Sequence, residues 1–172
     1  MWTATATTGA PAARQVHTAV WTGRDMVVWG GSIANGVETD TGSLYRPDAD
    51  AWRRTTTVNA PTPRWEHSAV WTGERMIVWG GKNGELYRTG ASYDPMAEIW
   101  IPIDPTDAPD GRRGQSATWT GSDLFVWGGD QASISTYLGS AGRFRLASGT
   151  WRETPDAPPS FGRTRHSAVW SG

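Results

Sequence analysis

The strongest constraint on this chain is a phrase that it repeats. Arg14-Gln15-Val16-His17-Thr18-Ala19-Val20-Trp21-Thr22-Gly23 returns as Arg64-Trp65-Glu66-His67-Ser68-Ala69-Val70-Trp71-Thr72-Gly73. It returns again as Arg112-Arg113-Gly114-Gln115-Ser116-Ala117-Thr118-Trp119-Thr120-Gly121, and begins once more at Arg163. The leading arginines Arg14, Arg64, Arg112 and Arg163 stand 50, 48 and 51 residues apart. Inside each unit the spacing is stricter. A Gly-Gly pair (Gly30-Gly31, Gly80-Gly81, Gly128-Gly129) starts 16 residues after the arginine. An aromatic (Tyr45, Tyr93, Phe144) precedes a tryptophan (Trp52, Trp100, Trp151) by 7 residues, and the next arginine follows that tryptophan by 12. All the length variation falls between the second glycine and the aromatic. A rigid frame with one elastic loop is what a stacked unit with one free surface loop requires.

Each unit reads as four short strands. Val16 to Trp21 alternates and carries β-formers. Met26-Val27-Val28-Trp29, Met76-Ile77-Val78-Trp79 and Leu124-Phe125-Val126-Trp127 are glycine-bounded apolar runs, which fit strands covered on both faces. Thr22-Gly23-Arg24-Asp25 and its copies join the first two strands as a tight hairpin. Ser43-Leu44-Tyr45 and Ala51 to Thr55 supply the third and fourth, divided by a turn at Pro47-Asp48. No stretch has a helical apolar period. One small sheet cannot bury both faces alone, but sheets packed face to face around an axis cover one another. The expected fold is therefore all-β, a β-propeller segment of four-stranded antiparallel blades in an incomplete ring. Eleven of the 12 tryptophans recur in register, as blade-to-blade packing demands.

The apolar run closed by Gly-Gly, the later aromatic and the tryptophan seven residues beyond it resemble the kelch repeat, a unit of ~50 residues. The resemblance spans the whole chain, and the His-Ser-Ala-Val-Trp-Thr-Gly wording resembles bacterial kelch proteins. Phe144 in place of tyrosine, and Arg46 and Arg145 where the second unit has Asp94, are its departures. The expected division is a single segment, 1-172, with blades at 14-63, 64-111 and 112-162. Residues 2-13 are expected to form the outer strand and exit loop of a preceding blade, and 163-172 the first strand of a following one. Either the chain is a segment of a longer propeller, or copies self-associate through open blade edges. The second reading leaves a surplus inner and outer strand at each junction.

Composition limits the chemistry. The 172 residues carry 16 Lys+Arg against 17 Asp+Glu, so a net charge of −1 gives no basic excess for nucleic acid. No cysteine is present, which removes disulfides, thiol nucleophiles and thiolate metal sites, and with them the cysteine-modified tyrosine of copper oxidases built on related propellers. No apolar run approaches a membrane span, and residues 1–7 lack the features of a signal peptide. Gly-x-Ser-x-Gly, phosphate-binding glycine loops and His-Glu-x-x-His are missing. No catalytic residue, cofactor or metal is expected.

His17, His67 and His166 share one repeat position, but Gln115 takes it in the third unit. Hydrogen bonding therefore explains the position better than metal ligation. The repeated arginines could ring an acidic ligand, but are expected to tie one loop to its neighbour through backbone carbonyls or carboxylates. Asp48, Asp50 and the aspartates of 104–110 lie where turns form and lack calcium-loop spacing. Residues that break register are better binding candidates. Trp65 stands where other units carry Gln15, Arg113 and Thr164, and Tyr87, Arg88 and Tyr137 are the largest groups of the elastic loops. The resemblance implies that these loops share one rim and contact partners. The expected function is a non-catalytic scaffold binding a protein or glycan there. The alternative is the propeller of a carbohydrate oxidase or sugar-acid isomerase whose catalytic groups lie elsewhere. Export, common among such bacterial relatives, is what the resemblance implies about location.

Overall fold

The computed structural model describes residues 3–131, 137–155 and 162–171; Trp2, read as the outer-strand tryptophan of a preceding blade, lies outside them. The first unit contains β1 (Thr18–Trp21), β2 (Met26–Trp29), the short ribbon β3 (Ser32–Ile33) with β4 (Val37–Glu38), then β5 (Gly42–Arg46) and β6 (Ala51–Arg54). The second contains β7 (Ser68–Trp71), β8 (Met76–Trp79), the ribbon β9 (Lys82–Asn83) with β10 (Glu85–Leu86), β11 (Gly90–Asp94) and β12 (Ile99–Ile103). The third contains β13 (Ser116–Trp119), β14 (Asp123–Trp127), β15 (Ala141–Arg145) and β16 (Thr150–Thr154). Each unit forms one antiparallel four-stranded sheet, in the orders β1-β2-β5-β6, β7-β8-β11-β12 and β13-β14-β15-β16. These sheets are propeller blades, with β1, β7 and β13 adjacent along the inside. The described blades do not close a ring.

Strand alternation sends side chains to both neighbours. Val27, Trp29 and Leu44 of the first blade pack against Met76, Val78, Ala91, Tyr93 and Trp100 of the second. The opposite face of the second blade carries Val70, Ile77, Trp79 and Ile103, which meet Leu124, Val126, Phe144 and Trp151 of the third. This is why Met76 to Trp79 is apolar without alternation: all four side chains are buried. Within blades Tyr45–Trp52, Tyr93–Trp100 and Phe144–Trp151 lie 4.9, 4.9 and 5.2 Å apart, and across blades Trp29–Trp100 and Trp79–Trp151 lie 5.3 Å apart.

The Gly-Gly pair is the joint between blades. Gly31, Gly81 and Gly129 have φ of 87°, 92° and 93°, and donate their N–H to Arg64, Arg112 and Arg163 of the following unit at 2.9, 2.8 and 2.7 Å. A Cβ on Gly31 would stand 2.5 Å from the Gln15 carbonyl oxygen, so a side chain has neither the backbone conformation nor the space. A Cβ on Gly30 would collide instead with the His67 ring of the next blade at 2.7 Å.

Four expectations need correction. The first strand starts at Thr18, not Val16, because Val16 has φ of 54° and a left-handed residue cannot continue a strand. The fourth strand of that unit stops at Arg54, one residue short of Thr55. Residues 3–13 and 162–171 contain no strand, since each lacks a ladder partner among the described residues, although Ala6 still accepts a hydrogen bond from Trp52 Nε1 at 2.9 Å. Trp21 and Trp170 are more than half exposed: no described blade precedes Trp21, and residues 162–171 form no strand that would hold Trp170 on the third blade. Trp71 and Trp119, at the same repeat position as Trp21, do pack on the preceding blade.

The Arg46/Asp94 departure also finds its cause here. On the rim of the strand 1–2 and 3–4 turns, Asp25 accepts two bonds from Arg46 at 2.8 and 3.1 Å. Asp123 does the same with Arg145 at 2.9 and 3.1 Å. In the second blade the charges are exchanged, and Arg75 faces Asp94 at 4.0 Å. The pair holds Asp25 below the ordinary carboxylate range, through the Arg46 hydrogen bond first. Asp25→Arg is expected to lower the melting temperature, and adding Arg46→Asp to recover most of the loss. A thermal double-mutant cycle checks this; additive losses would show that the two side chains do not interact.

Candidate functional site

The elastic loops fold back onto the blade-to-blade loops. Gln15 bridges Ser32, Trp65 bridges Lys82 and Arg113 bridges Asp130, each as an isolated antiparallel pair. Both loop families therefore lie on one rim, in the first, second and third units alike.

The leading arginines hold that rim from inside. Arg64 is 1% exposed. Its Nε donates to Thr62 O at 2.9 Å, one terminal nitrogen to Gly80 O at 3.0 Å and Thr89 O at 2.9 Å, and the other to Thr62 and Thr89 hydroxyls at 3.0 and 3.2 Å. Five donors meet five acceptors, none of them a carboxylate. Burial pulls the Arg64 pKa down to about 10, which still leaves it charged at neutral pH. Arg14 and Arg112 repeat the pattern on Gly30 and Thr41, and on Gly128 and Ser140. The ties expected of these arginines run inside one blade, while their own carbonyls receive the glycine N–H of the blade before.

The shared histidine position is likewise a blade-to-blade bond. His67 Nε2 and Thr18 Oγ1 lie 2.8 Å apart, and His166 Nε2 and Ser116 Oγ 2.9 Å apart. Gln115 replaces the ring with an amide that donates to Ser68 Oγ at 3.2 Å and Trp79 O at 3.0 Å. Among the described residues no three His, Asp or Glu side chains converge as a metal site would need.

Trp65 is half-buried rather than standing free at the loop edge. The Arg113 guanidinium carbon sits 5.7 Å from its ring centre. Arg113 also reaches Asp130 at 2.8 Å and Glu66 at 3.4 Å, Arg165 pairs with Glu66, and Thr164 Oγ1 donates to Asp130 at 3.2 Å. This network runs from the second unit through the third to residues 164 and 165, and it meets Trp65 through Arg113. Tyr87 has one face 4.4 Å from the Arg64 guanidinium carbon. Arg88 is exposed but donates to the Pro105 and Ala108 carbonyls at 3.1 and 2.7 Å, bracing the loop that leaves the second blade. Tyr137 is 51% exposed and bridges Asp130. The rim thus brings Trp65 and Tyr87 to the loops of one unit, places Arg88 at the outer edge and Tyr137 on the next blade. Glu66, Arg113, Asp130 and Arg165 form a charge network beside the candidate residues that the sequence reading misses. Glu66 and Arg113 break register as Trp65 does, and that same criterion would have found them.

The family model described as the KLHDC2/KLHL20/DRC7 Kelch-repeats domain matches residues 1–172. The chain belongs to the kelch-repeat family. No curated protein matches it. In this kelch chain the shared glycines, aromatics and arginines serve the blade joints. Trp65, Glu66 and Arg113, which differ from their counterparts in the other units, lie on the loop rim. No described helix is long and apolar enough to cross a membrane.

Proposed function

We propose that this kelch propeller is a non-catalytic scaffold that binds a protein partner through the loop rim, with Trp65 as the anchor. The observation that carries the reading is the combination at Trp65: an out-of-register indole, half-buried, with a guanidinium on one side and a carboxylate pair beyond it. A ring held in place by its own loop loses little freedom on binding, and tryptophan and arginine dominate the energetics of protein interfaces. Tyr87, Arg88 and Tyr137 extend the surface with two further aromatics and a cation. Repeat positions buried between blades cannot serve, since they are occupied with holding the blades together. A glycan at the same rim is the second form of this reading.

The test is capture of partners by the immobilised 172-residue chain, with identification by mass spectrometry. A partner retained by the wild type should be lost at least tenfold with Trp65→Ala and kept by Met96→Ser, an 84% exposed residue of the opposite rim. Retention by Trp65→Ala of every partner that the wild type holds would reject the anchor.

A further inference from the structure

The chain has three asparagines, Asn35, Asn59 and Asn83, and two of them precede glycine. Asn35-Gly36 and Asn83-Gly84 lie at the tips of the two rim ribbons, β3 with β4 and β9 with β10. Asn35 is the centre of the three-residue connection Ala34–Gly36, with φ of 64° and ψ of 19°. It is exposed, as are Ala34, Gly36 and Val37. Its carboxamide has no hydrogen-bond partner among the described residues. A Cβ on Gly36 would meet nothing within 4 Å, so the tip has open space around it. This position of the repeat stays open where blades flank it. Gly84 and Glu85, at the tip of the second ribbon with a described blade on either side, are exposed too.

Asn83 and Asn59 stand differently. Asn83 is half-buried and is itself a paired strand residue, opposite Glu85. Its carbonyl accepts a hydrogen bond from the Tyr87 hydroxyl at 3.4 Å. The adjoining Lys82 is tied to Trp65 by two backbone bonds of 2.9 and 3.1 Å. Asn59 shares the left-handed backbone of Asn35, with φ of 60°, and its exposure. But Ala60 follows it, so a side chain crowds the next nitrogen, and that N–H donates to Thr57 O at 3.1 Å.

We propose that Asn35 is a site of spontaneous modification: it cyclises on Gly36 to a succinimide, which water opens to aspartate or isoaspartate. Hydroxide takes the proton of the Gly36 amide, and that nitrogen bonds to Asn35 Cγ. The Cγ–Nδ2 bond breaks and the side-chain nitrogen leaves as ammonia. Water then adds to one of the two ring carbonyls. Opening at Cγ restores the ordinary backbone with an aspartate side chain. Opening at the α-carbonyl routes the chain through the side chain, as isoaspartate. Glycine favours the attack because no Cβ shields its nitrogen and both signs of φ are open to it. Bringing the nitrogen to Cγ requires rotation about ψ of the asparagine. At Asn35 that disturbs one exposed turn, the kind of loop tip where change is tolerated. At Asn83 it breaks a ribbon pair, and at Asn59 the attacking nitrogen must first give up its turn bond. Either product adds a carboxylate to the rim of the first unit. Isoaspartate also lengthens the backbone between Ile33 and Val37, which pair across the ribbon. This inference does not depend on Trp65 as an anchor.

Incubation of the intact chain at mildly alkaline pH, with peptide mapping by mass spectrometry at intervals, tests the proposal. Asn35 is expected to convert at least tenfold faster than Asn83 and Asn59, and faster as the pH rises. Aspartate and isoaspartate should both accumulate, since both come from one ring. The same incubation in urea separates fold from motif: there Asn83 should approach the rate of Asn35, because the two share the Asn-Gly pair. Equal rates at Asn35 and Asn83 in the folded chain would overturn the proposal. So would a rate ratio that urea leaves unchanged, because the fold would then not select the site. Aspartate formed without isoaspartate would overturn the cyclisation, because direct hydrolysis of the amide gives aspartate alone.

Discussion

Arg64→Met is expected to destabilise the chain by about 3–5 kcal/mol. Methionine fills much of the same volume but donates nothing; the Gly80 carbonyl loses a buried partner, and those of Thr89 and Thr62 lose part-buried ones. Each orphaned buried acceptor costs roughly 1–3 kcal/mol, and regaining the cost of burying a guanidinium offsets only part of that. The Tyr87 ring also loses the cation stacked against it. Arg64→Lys should recover little. One ammonium has three donors without the planar fork that meets five acceptors on two loops. Urea unfolding at neutral pH measures both variants. A loss under 1 kcal/mol for Arg64→Met would show that the loops hold their shape without the arginine. The blade joint would then rest on the glycine N–H to carbonyl bonds, the His67–Thr18 bond and the apolar packing between the sheets.

A feature of this fold is legible in the sequence to the extent that the chain states the same constraint more than once. The Gly-Gly joint and the aromatic pair occur three times and the leading arginine four times at fixed spacing, so repetition alone reveals their roles. The histidine position is readable for a subtler reason: Gln115 breaks a metal reading and keeps a hydrogen-bonding one, and both rings and the amide do make the blade-to-blade bond. The charge pairs are less accessible. Asp25 with Arg46 and Arg75 with Asp94 reverse sign between blades, so each position looks variable until the two are considered together. Antiparallel pairing of the second and third strands is the missing link. The rim network is hidden differently. Arg113, Asp130 and Arg165 come from separate segments, and only the stacking of blades links Arg113 and Arg165 to Glu66, the chain neighbour of Trp65. Val16 misleads because a left-handed backbone cannot be seen in a β-branched side chain. Its counterparts Glu66, Gly114 and Arg165 also have positive φ, so the glycine among them is the clue.

Lowering the pH is expected to weaken the joint between the first and second blades before any carboxylate titrates. His67 is buried against Trp29, with ring centres 5.1 Å apart, and shares its hydrogen bond with Thr18. Burial, then the nearby Arg64 and His17, pulls its pKa from 6.5 to about 3. The folded state therefore keeps the ring neutral while the unfolded chain protonates it. With the unfolded state binding more protons, stability is full above about pH 6.5 and falls as the pH drops toward 3. One unit of pH over that window removes about 1.4 kcal/mol, so roughly 2 kcal/mol should be gone at pH 5. Asp25 and Asp123, whose pKa values are lowered, contribute losses of the same sign only further down. His67→Gln separates the two. The third blade already holds an amide in this place, where Gln115 donates across the joint to Ser68 and Trp79, so the substitution fits the geometry. Urea midpoints for the variant should fall less from pH 7 to pH 5 than those of the wild type; what fall remains includes His166, whose pKa burial also lowers. If both fall in parallel, the acid sensitivity arises elsewhere and His67 is not the group that carries it.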